Sequence, residues 1–139
     1  MSTKRKGAAA VMLVDQISPA MLVERLIVCG GQGAGMQALS SVESYDPKAK
    51  SWSLMPPMIQ KRWRPSAAVV AGQIYVCGTT AGGSLEERAG GEHRNSMERY
   101  EQASGSWLQC PRMPLGDDPD IFDSHFFEGE CLVAVSLTL

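Results

Sequence analysis

At 139 residues, 44% hydrophobic and 20% charged, the chain has the size and composition of one globular domain, which excludes disorder throughout. A net charge of −2 lacks the strongly basic balance of a dedicated nucleic-acid binder, and no apolar run approaches the roughly 18 residues of a membrane span. Fourteen glycines and eight prolines point to many turns rather than long helices.

The first segment, residues 1–19, is poorly defined by pattern. Lys4-Arg5-Lys6 followed by the apolar stretch Ala8 to Val14 imitates a secretory leader, but Asp15 and Gln16 end that stretch at the lower limit of such a region. The expectation is therefore a cytoplasmic, soluble chain. Cys29, Cys77, Cys110 and Cys131 are too few and too dispersed for a disulfide framework. Without a CxxC, and with only His93 and His125 beside them, they make no zinc site.

Beyond residue 20 the chain repeats itself. Glu43-Ser-Tyr45 and Trp52 recur as Glu98-Arg-Tyr100 and Trp107, displaced by 55 positions, and Leu26-Ile-Val-Cys-Gly30 recurs as Ile74-Tyr-Val-Cys-Gly78, displaced by 48. The seven extra residues fall in a Gly-rich, charged insertion at 79–95. The half-copy Ala20 to Leu26 lacks the turn glycine of its counterpart, so Glu24 and Arg25 are expected to turn there. Strands are expected at Val42 to Tyr45, Trp52 to Leu54, Ala67 to Val70 and Ile74 to Cys77, each short and bounded by Gly, Pro or Asp. Gly30 and Gly31 fit a sharp turn against a neighbouring backbone, and the Tyr/Trp pairs fit an inter-sheet gap filled once per repeat. A third copy begins at Phe127 to Val133 and fades, within an acidic stretch at 115–139 that carries six acids and no base.

These elements resemble the kelch repeat of β-propellers. The resemblance rests on Gly30-Gly31, Val42-Glu43-x-Tyr45-Asp46-Pro47, Trp52 and Pro56-Pro57-Met58, continues through Arg62 and Gly72 into Ile74-Tyr75-Val76-x-Gly78, and covers about residues 20–114; Glu98, Tyr100 and Trp107 are the repeat residues of the second copy. It implies an all-β, incomplete kelch-type propeller with about two four-stranded antiparallel blades plus half-blades at the ends. The first blade is expected at about 20–64 and the second at about 65–114. Propellers close with about 4–8 blades of near 50 residues, so this chain cannot close a ring alone. Three readings follow: part of a longer propeller, a ring completed by self-association, or an open stack.

The resemblance also implies a protein-interaction module without catalysis or cofactor. Family roles include the substrate-recognition part of a ubiquitin-ligase adaptor and cytoskeletal binding. The candidate partner-binding cluster is Lys61, Arg62, Trp63 and Arg64, three cations beside an aromatic, suited to an acidic peptide motif. The alternative for it is structural, with Arg62 a framework residue and Trp63 a blade-edge cap. The competing function is a propeller enzyme such as a copper oxidase, or no function in a truncated fragment. No convergent catalytic or metal-binding cluster supports the enzyme: His93 and His125 lie in different loops, and the adjacent Asp123, Ser124 and His125 cannot form a relay.

Overall fold

In the computed structural model, the structure describes residues 1–78 and 96–111. The insertion at 79–95, the acidic stretch and the third copy at Phe127 to Val133 lie outside the described residues. Eight strands form two four-stranded antiparallel sheets, each in simple sequential order. Sheet 1 holds β1 (Ala9–Ser18), β2 (Met21–Cys29), β3 (Val42–Asp46) and β4 (Ser51–Met55). Sheet 2 holds β5 (Ser66–Val70), β6 (Gln73–Cys77), β7 (Met97–Glu101) and β8 (Ser106–Gln109). No helix among the described residues is long and apolar enough to cross a membrane.

The repeat found in the sequence is the repeat of sheets. Tyr45 faces Trp52 across β3 and β4, and Tyr100 faces Trp107 across β7 and β8. Their ring centroids lie 5.0 and 5.4 Å apart, both tilted. Cys29 and Cys77 end β2 and β6, opposite Ala9 and Ser66. The third displacement, 57 positions from Ala9 to Ser66, relates the first strands of the two sheets.

Two expectations are corrected. Sheet 1 begins at Ala9, inside the segment read as undefined, and the stretch resembling a leader is strand β1. Glu24 and Arg25 make no turn; they pair with Val14 and Leu13 inside β2. The chain reverses instead at Ser18-Pro19-Ala20, where proline fixes φ for a turn and lacks an N–H to lend a ladder. The resulting β1–β2 hairpin has strands of 10 and 9 residues, against 5 and 5 for β5–β6. Pairing of β2 with β3 stops at Leu26, so Met21 to Arg25 extend beyond the sheet as a two-stranded ribbon. A bulge at Ile17 shifts its register.

The sheets bury a common core. Leu13, Ile27, Cys29 and Val42 from sheet 1 meet Ile74, Val76 and Trp107 from sheet 2, with Met58 of the connecting segment between them. Period-2 alternation puts these side chains on facing surfaces. Burial pushes the Cys29 thiol up to about 12, so it behaves as a packing group rather than a nucleophile.

Among the described residues, the N-terminal segment 1–8, the β2–β3 loop at 30–41 and the β4–β5 segment at 56–65 all lie at one end of the sheets. Backbone hydrogen bonds lace them together. Gly31 N donates to Arg62 O, Arg62 N to Leu39 O, and Gln32 N to Lys6 O. The glycine pair permits this approach: a Cβ on Gly30 would stand 2.9 Å from Arg62 O, and one on Gly31 2.8 Å from Lys6 O. Gly72, in the β5–β6 turn, also has a positive φ (+75°) but has open space around its Cα. Gly72→Ala is therefore expected to cost only the backbone term of about 1–2 kcal/mol. Gly30→Ala adds a backbone clash and should lower the urea-unfolding free energy by clearly more; equal losses would contradict the close packing.

Candidate functional site

Two buried ion pairs define the loop end. Arg62 and Glu98 are wholly inaccessible, with Arg62 Nη2 2.9 Å from Glu98 Oε1. Arg62 Nε donates to the same oxygen at 3.0 Å, and Nη1 donates to the carbonyls of Gly78 and Ser96. Glu98 completes its shell by accepting from the backbone N–H groups of Ile59 and Gln60. A buried charge pair needs this degree of satisfaction to offset its desolvation.

The first repeat builds the same device. Arg5 Nη2 lies 2.6 Å from Glu43 Oε2, its Nη1 donates to Gly30 O and Ser41 O, and Glu43 accepts from the N–H groups of Ser2 and Thr3. Every partner has its counterpart: Arg5 and Arg62, Gly30 and Gly78, Ser41 and Ser96, Glu43 and Glu98. One difference is that Glu43 Oε1 is taken by the Ser2 N–H and hydroxyl, leaving Arg5 Nε buried without a partner. Burial alone would raise the Glu43 carboxyl, but the hydrogen bonds from Ser2 and Arg5 outweigh it and hold it below the usual carboxylate range.

The partner-binding cluster expected from the sequence is therefore divided. Arg62 is spent inside the framework and has no surface from which to meet a peptide. Lys61 and Arg64 are exposed and Trp63 is half-buried, with the Arg64 guanidinium carbon 5.3 Å from the Trp63 ring centroid. The remaining residues singled out in the sequence, Gly30, Gly31, Glu43, Tyr45, Trp52, Gly78, Glu98, Tyr100 and Trp107, occupy matching framework positions in the two sheets.

The N-terminal basic run enters the site from an unexpected direction. Lys4-Arg5-Lys6-Gly7 and Lys61-Arg62-Trp63-Arg64 are 57 positions apart, the displacement that relates β1 to β5. Each puts its arginine inward, and Lys4, Lys6, Lys61 and Arg64 stay exposed. The two segments adjoin: a Cβ on Gly7 would stand 3.1 Å from Arg64 Cγ. Segments 1–8, 30–41 and 56–65 contain no Asp or Glu. Since Glu43 and Glu98 are consumed by the buried pairs, the described loop end is a cationic surface of four side chains. The two runs share the Lys-Arg dipeptide, and Met1 stands three residues before the first as Met58 does before the second.

At the opposite end a cleft of about 650 Å³ lies between the ribbon and the turns of sheet 2, lined by Asp15, Arg25, Gln73 and Gln102 among others. Gln102 Nε2 donates to Asp15 Oδ1 at 2.9 Å across it. Among the described residues no group of three or more His, Cys, Asp or Glu side chains is placed to hold a metal ion.

Residues 24–59 match the kelch motif family. The chain is a partial kelch-repeat protein. Its curated relatives include an F-box/kelch-repeat protein of Arabidopsis thaliana, 30% identical over 99 residues, or 70% of this chain and 24% of that one. The Kelch repeat and BTB domain-containing protein 2 of Cowpox virus is 28% identical over 96 residues, 69% and 16% of the two chains. The Influenza virus NS1A-binding protein homolog B of Danio rerio is 39% identical over 66 residues, 48% and 10%. The chain thus spans a quarter or less of the length of these relatives. The solved structure of YjhT superposes with a TM-score of 0.60 over 81% of this chain and 39% of that one, at 18% identity. The fold is an incomplete kelch-type propeller, and the two sheets are its four-stranded blades.

Two outcomes follow from the buried pairs. Arg62→Ala strands the Glu98 carboxylate and should cost about 3–5 kcal/mol, against within about 0.5 kcal/mol for Lys61→Ala; similar denaturation midpoints for the two would remove Arg62 from the framework. Because the Glu43 carboxyl is held down in the folded chain, its stabilisation is present above the unfolded value and lost as pH falls through the folded one. Urea midpoints should fall on acidification through and below the ordinary carboxylate range, and Glu43→Gln should flatten that slope at a lower plateau.

Proposed function

We propose that this chain is a non-catalytic protein-interaction module that binds acidic peptide segments at the loop end of its blades. The observation that carries the reading is the cationic surface of Lys4, Lys6, Lys61 and Arg64 in segments without a single acid. The lacing that joins these segments holds the charges on a rigid frame, so little order has to be created on binding. Trp63, half-buried beside Arg64, adds an aromatic face at the centre of the patch, the residue type that concentrates interface energy. Kelch, F-box and BTB names among the relatives support a role in presenting a bound protein, as a ubiquitin-ligase adaptor does, or in cytoskeletal attachment. The adaptor machinery itself would reside in other parts of a longer chain or in a partner.

A non-catalytic reading is supported by where the reactive groups sit. The two buried carboxylates are committed to arginines, the Cys29 thiol is raised by burial, and burial raises Cys110 in the same direction. A cytoplasmic setting, where cysteines stay reduced, agrees with the buried free thiol of Cys29.

Fluorescence anisotropy with a labelled poly-glutamate peptide and a poly-glutamine control tests the reading. The acidic peptide is expected to bind with a marked salt dependence. Lys61→Gln and Arg64→Gln should each weaken it by roughly two- to fivefold, the scale of an exposed charge contact. Equal binding of the neutral control, or indifference to both substitutions, would overturn it.

A further inference from the structure

Among the described residues, four other than glycine hold a positive φ: Met36, Lys50, Arg64 and Ala71. Lys50 and Ala71 sit in the β3–β4 and β5–β6 hairpin turns, where that conformation is ordinary. The other two belong to the loop end. Arg64 is one of its four exposed cations, and Met36 is apolar, 69% exposed and held at a φ of +62°. A single exposed apolar side chain is ordinary on any surface. One fixed in a strained conformation beside a binding surface calls for a reason.

A closed hairpin sustains the strain. Gly33 N donates to Gln37 O and Met36 N to Gly33 O, which fixes a tight loop over residues 33–37. Gln32 Nε2 donates to Met36 O at 2.6 Å and holds the strained residue from the side. The Gln37 side chain fills the space inside the loop: a Cβ on Gly33 would stand 2.8 Å from its Nε2, and one on Gly35 2.7 Å from its Oε1. Glycine would take the place of Met36 without strain, as Gly105 does at the turn position that Lys50 holds in the first blade. Here a large apolar side chain stands in that place, turned to solvent.

The hairpin is continuous with the cationic surface. Lys6 and Gln32 exchange both backbone hydrogen bonds, Gln32 bridges onward to Ala38, and Leu39 bridges to Arg62. Residues 6, 32 and 38 therefore lie side by side at strand spacing, which places Met36 on the order of 10 Å from Lys6. Beyond Lys6, Gly7 abuts Arg64, whose guanidinium faces the Trp63 ring. One hydrogen-bonded frame thus carries both the apolar tip and the cations.

We propose that Met36 is the apolar anchor of the peptide site, and that the acidic segment bound at the loop end carries an aromatic residue that packs on it. Carboxylates flanking that residue meet Lys6 and Arg64. This deepens the acidic-peptide reading and rests on it. Charge complementarity selects the class of partner, because the segments around Met36 hold four exposed cations and no acid. The thioether selects the aromatic: sulfur–ring contacts are favourable, and an unbranched side chain adapts to the ring it meets. A preset hairpin leaves little order to be created when the ring docks. Cations alone report only charge; the anchor decides which residue of an acidic run stands at the hairpin.

Fluorescence anisotropy with the full chain compares a labelled glutamate decamer with the same peptide carrying one central phenylalanine. The phenylalanine is expected to tighten binding about three- to tenfold, the scale of a sulfur–aromatic contact with partial apolar burial. Met36→Gly should remove that gain and leave affinity for the all-glutamate peptide unchanged, while Met36→Leu should keep part of it. Because glycine suits the left-handed conformation, Met36→Gly should leave the thermal midpoint equal or higher. Ile17→Ser, at a similarly exposed apolar position (60%) on the far end, should alter neither affinity. An all-glutamate peptide that binds while the phenylalanine adds nothing overturns the anchor alone. A gain that survives Met36→Gly, or vanishes in Ile17→Ser, does the same. A lowered midpoint in Met36→Gly would mean that the side chain packs within its own chain, and it too overturns the anchor. If neither peptide binds, the acidic-peptide reading falls and the anchor falls with it.

Discussion

The buried arginine–glutamate pair ties this structure together, once in each repeat. Arg62 comes from the segment between the blades and Glu98 from the third strand of the second blade, so the pair fastens the incoming chain to the sheet it is about to form. The guanidinium also takes the carbonyls of Gly78 and Ser96 at the two ends of the β6–β7 connection. One side chain therefore fixes the entrance, the two described residues that flank that connection, and the strand. An exposed pair would contribute well below about 1 kcal/mol. A buried one contributes specificity, because any register that moves Glu98 away leaves two charges in a dry interior. The first repeat achieves the same with Arg5, although its unpaired Nε makes that copy the less completely satisfied of the two.

Much of the architecture was legible because it was written twice. Glu43, Tyr45 and Trp52 recur at one displacement, and their strands occupy identical register in both blades. The Gly30-Gly31 pair was legible for a different reason: backbone approaching within a Cβ radius tolerates no other residue. What escaped was the first strand. Ala8 to Val14 is apolar without strict alternation, and behind three basic residues that composition reads as a leader. The start of its partner strand is obscured in turn, because the analogy with Gly72 predicts a turn at Glu24-Arg25. The actual turn, at Pro19, lies outside the shorter hairpin of the second blade and so had no counterpart to reveal it.

The site was only half legible, and the reason is electrostatic. Arginine and lysine are mostly exposed, so by residue type Lys61-Arg62-Trp63-Arg64 reads as one surface cluster, and only the family resemblance offers Arg62 as a framework residue. Burial of Arg62 depends on Glu98, 36 positions away, and no local pattern reports that pairing. The same blindness hid Lys4-Arg5-Lys6, whose middle residue is the structural equivalent of Arg62. Once the inward arginines are set aside, the flanking cations of two separate segments become neighbours, an adjacency created entirely by the fold.

The division of labour within each basic segment explains how one short motif serves both stability and recognition. The arginine turned inward consumes the acid that would otherwise neutralise the loop end, as Glu43 and Glu98 do in the two repeats. Among the described residues its flanking lysines and Arg64 are thereby left without an acid beside them, on a backbone that the same arginine holds in place. The positive potential of these described segments is a consequence of how the blades are fastened, and a chain that lost the buried pairs would lose the organisation of this surface along with its fold. At the far end, by contrast, Gln102 donates a hydrogen bond to Asp15 across the ribbon and Glu101 lies beside Arg99. The asymmetry between the two ends follows from the repeat itself, since each further blade of this pattern would add another buried pair and another exposed cation to the same side.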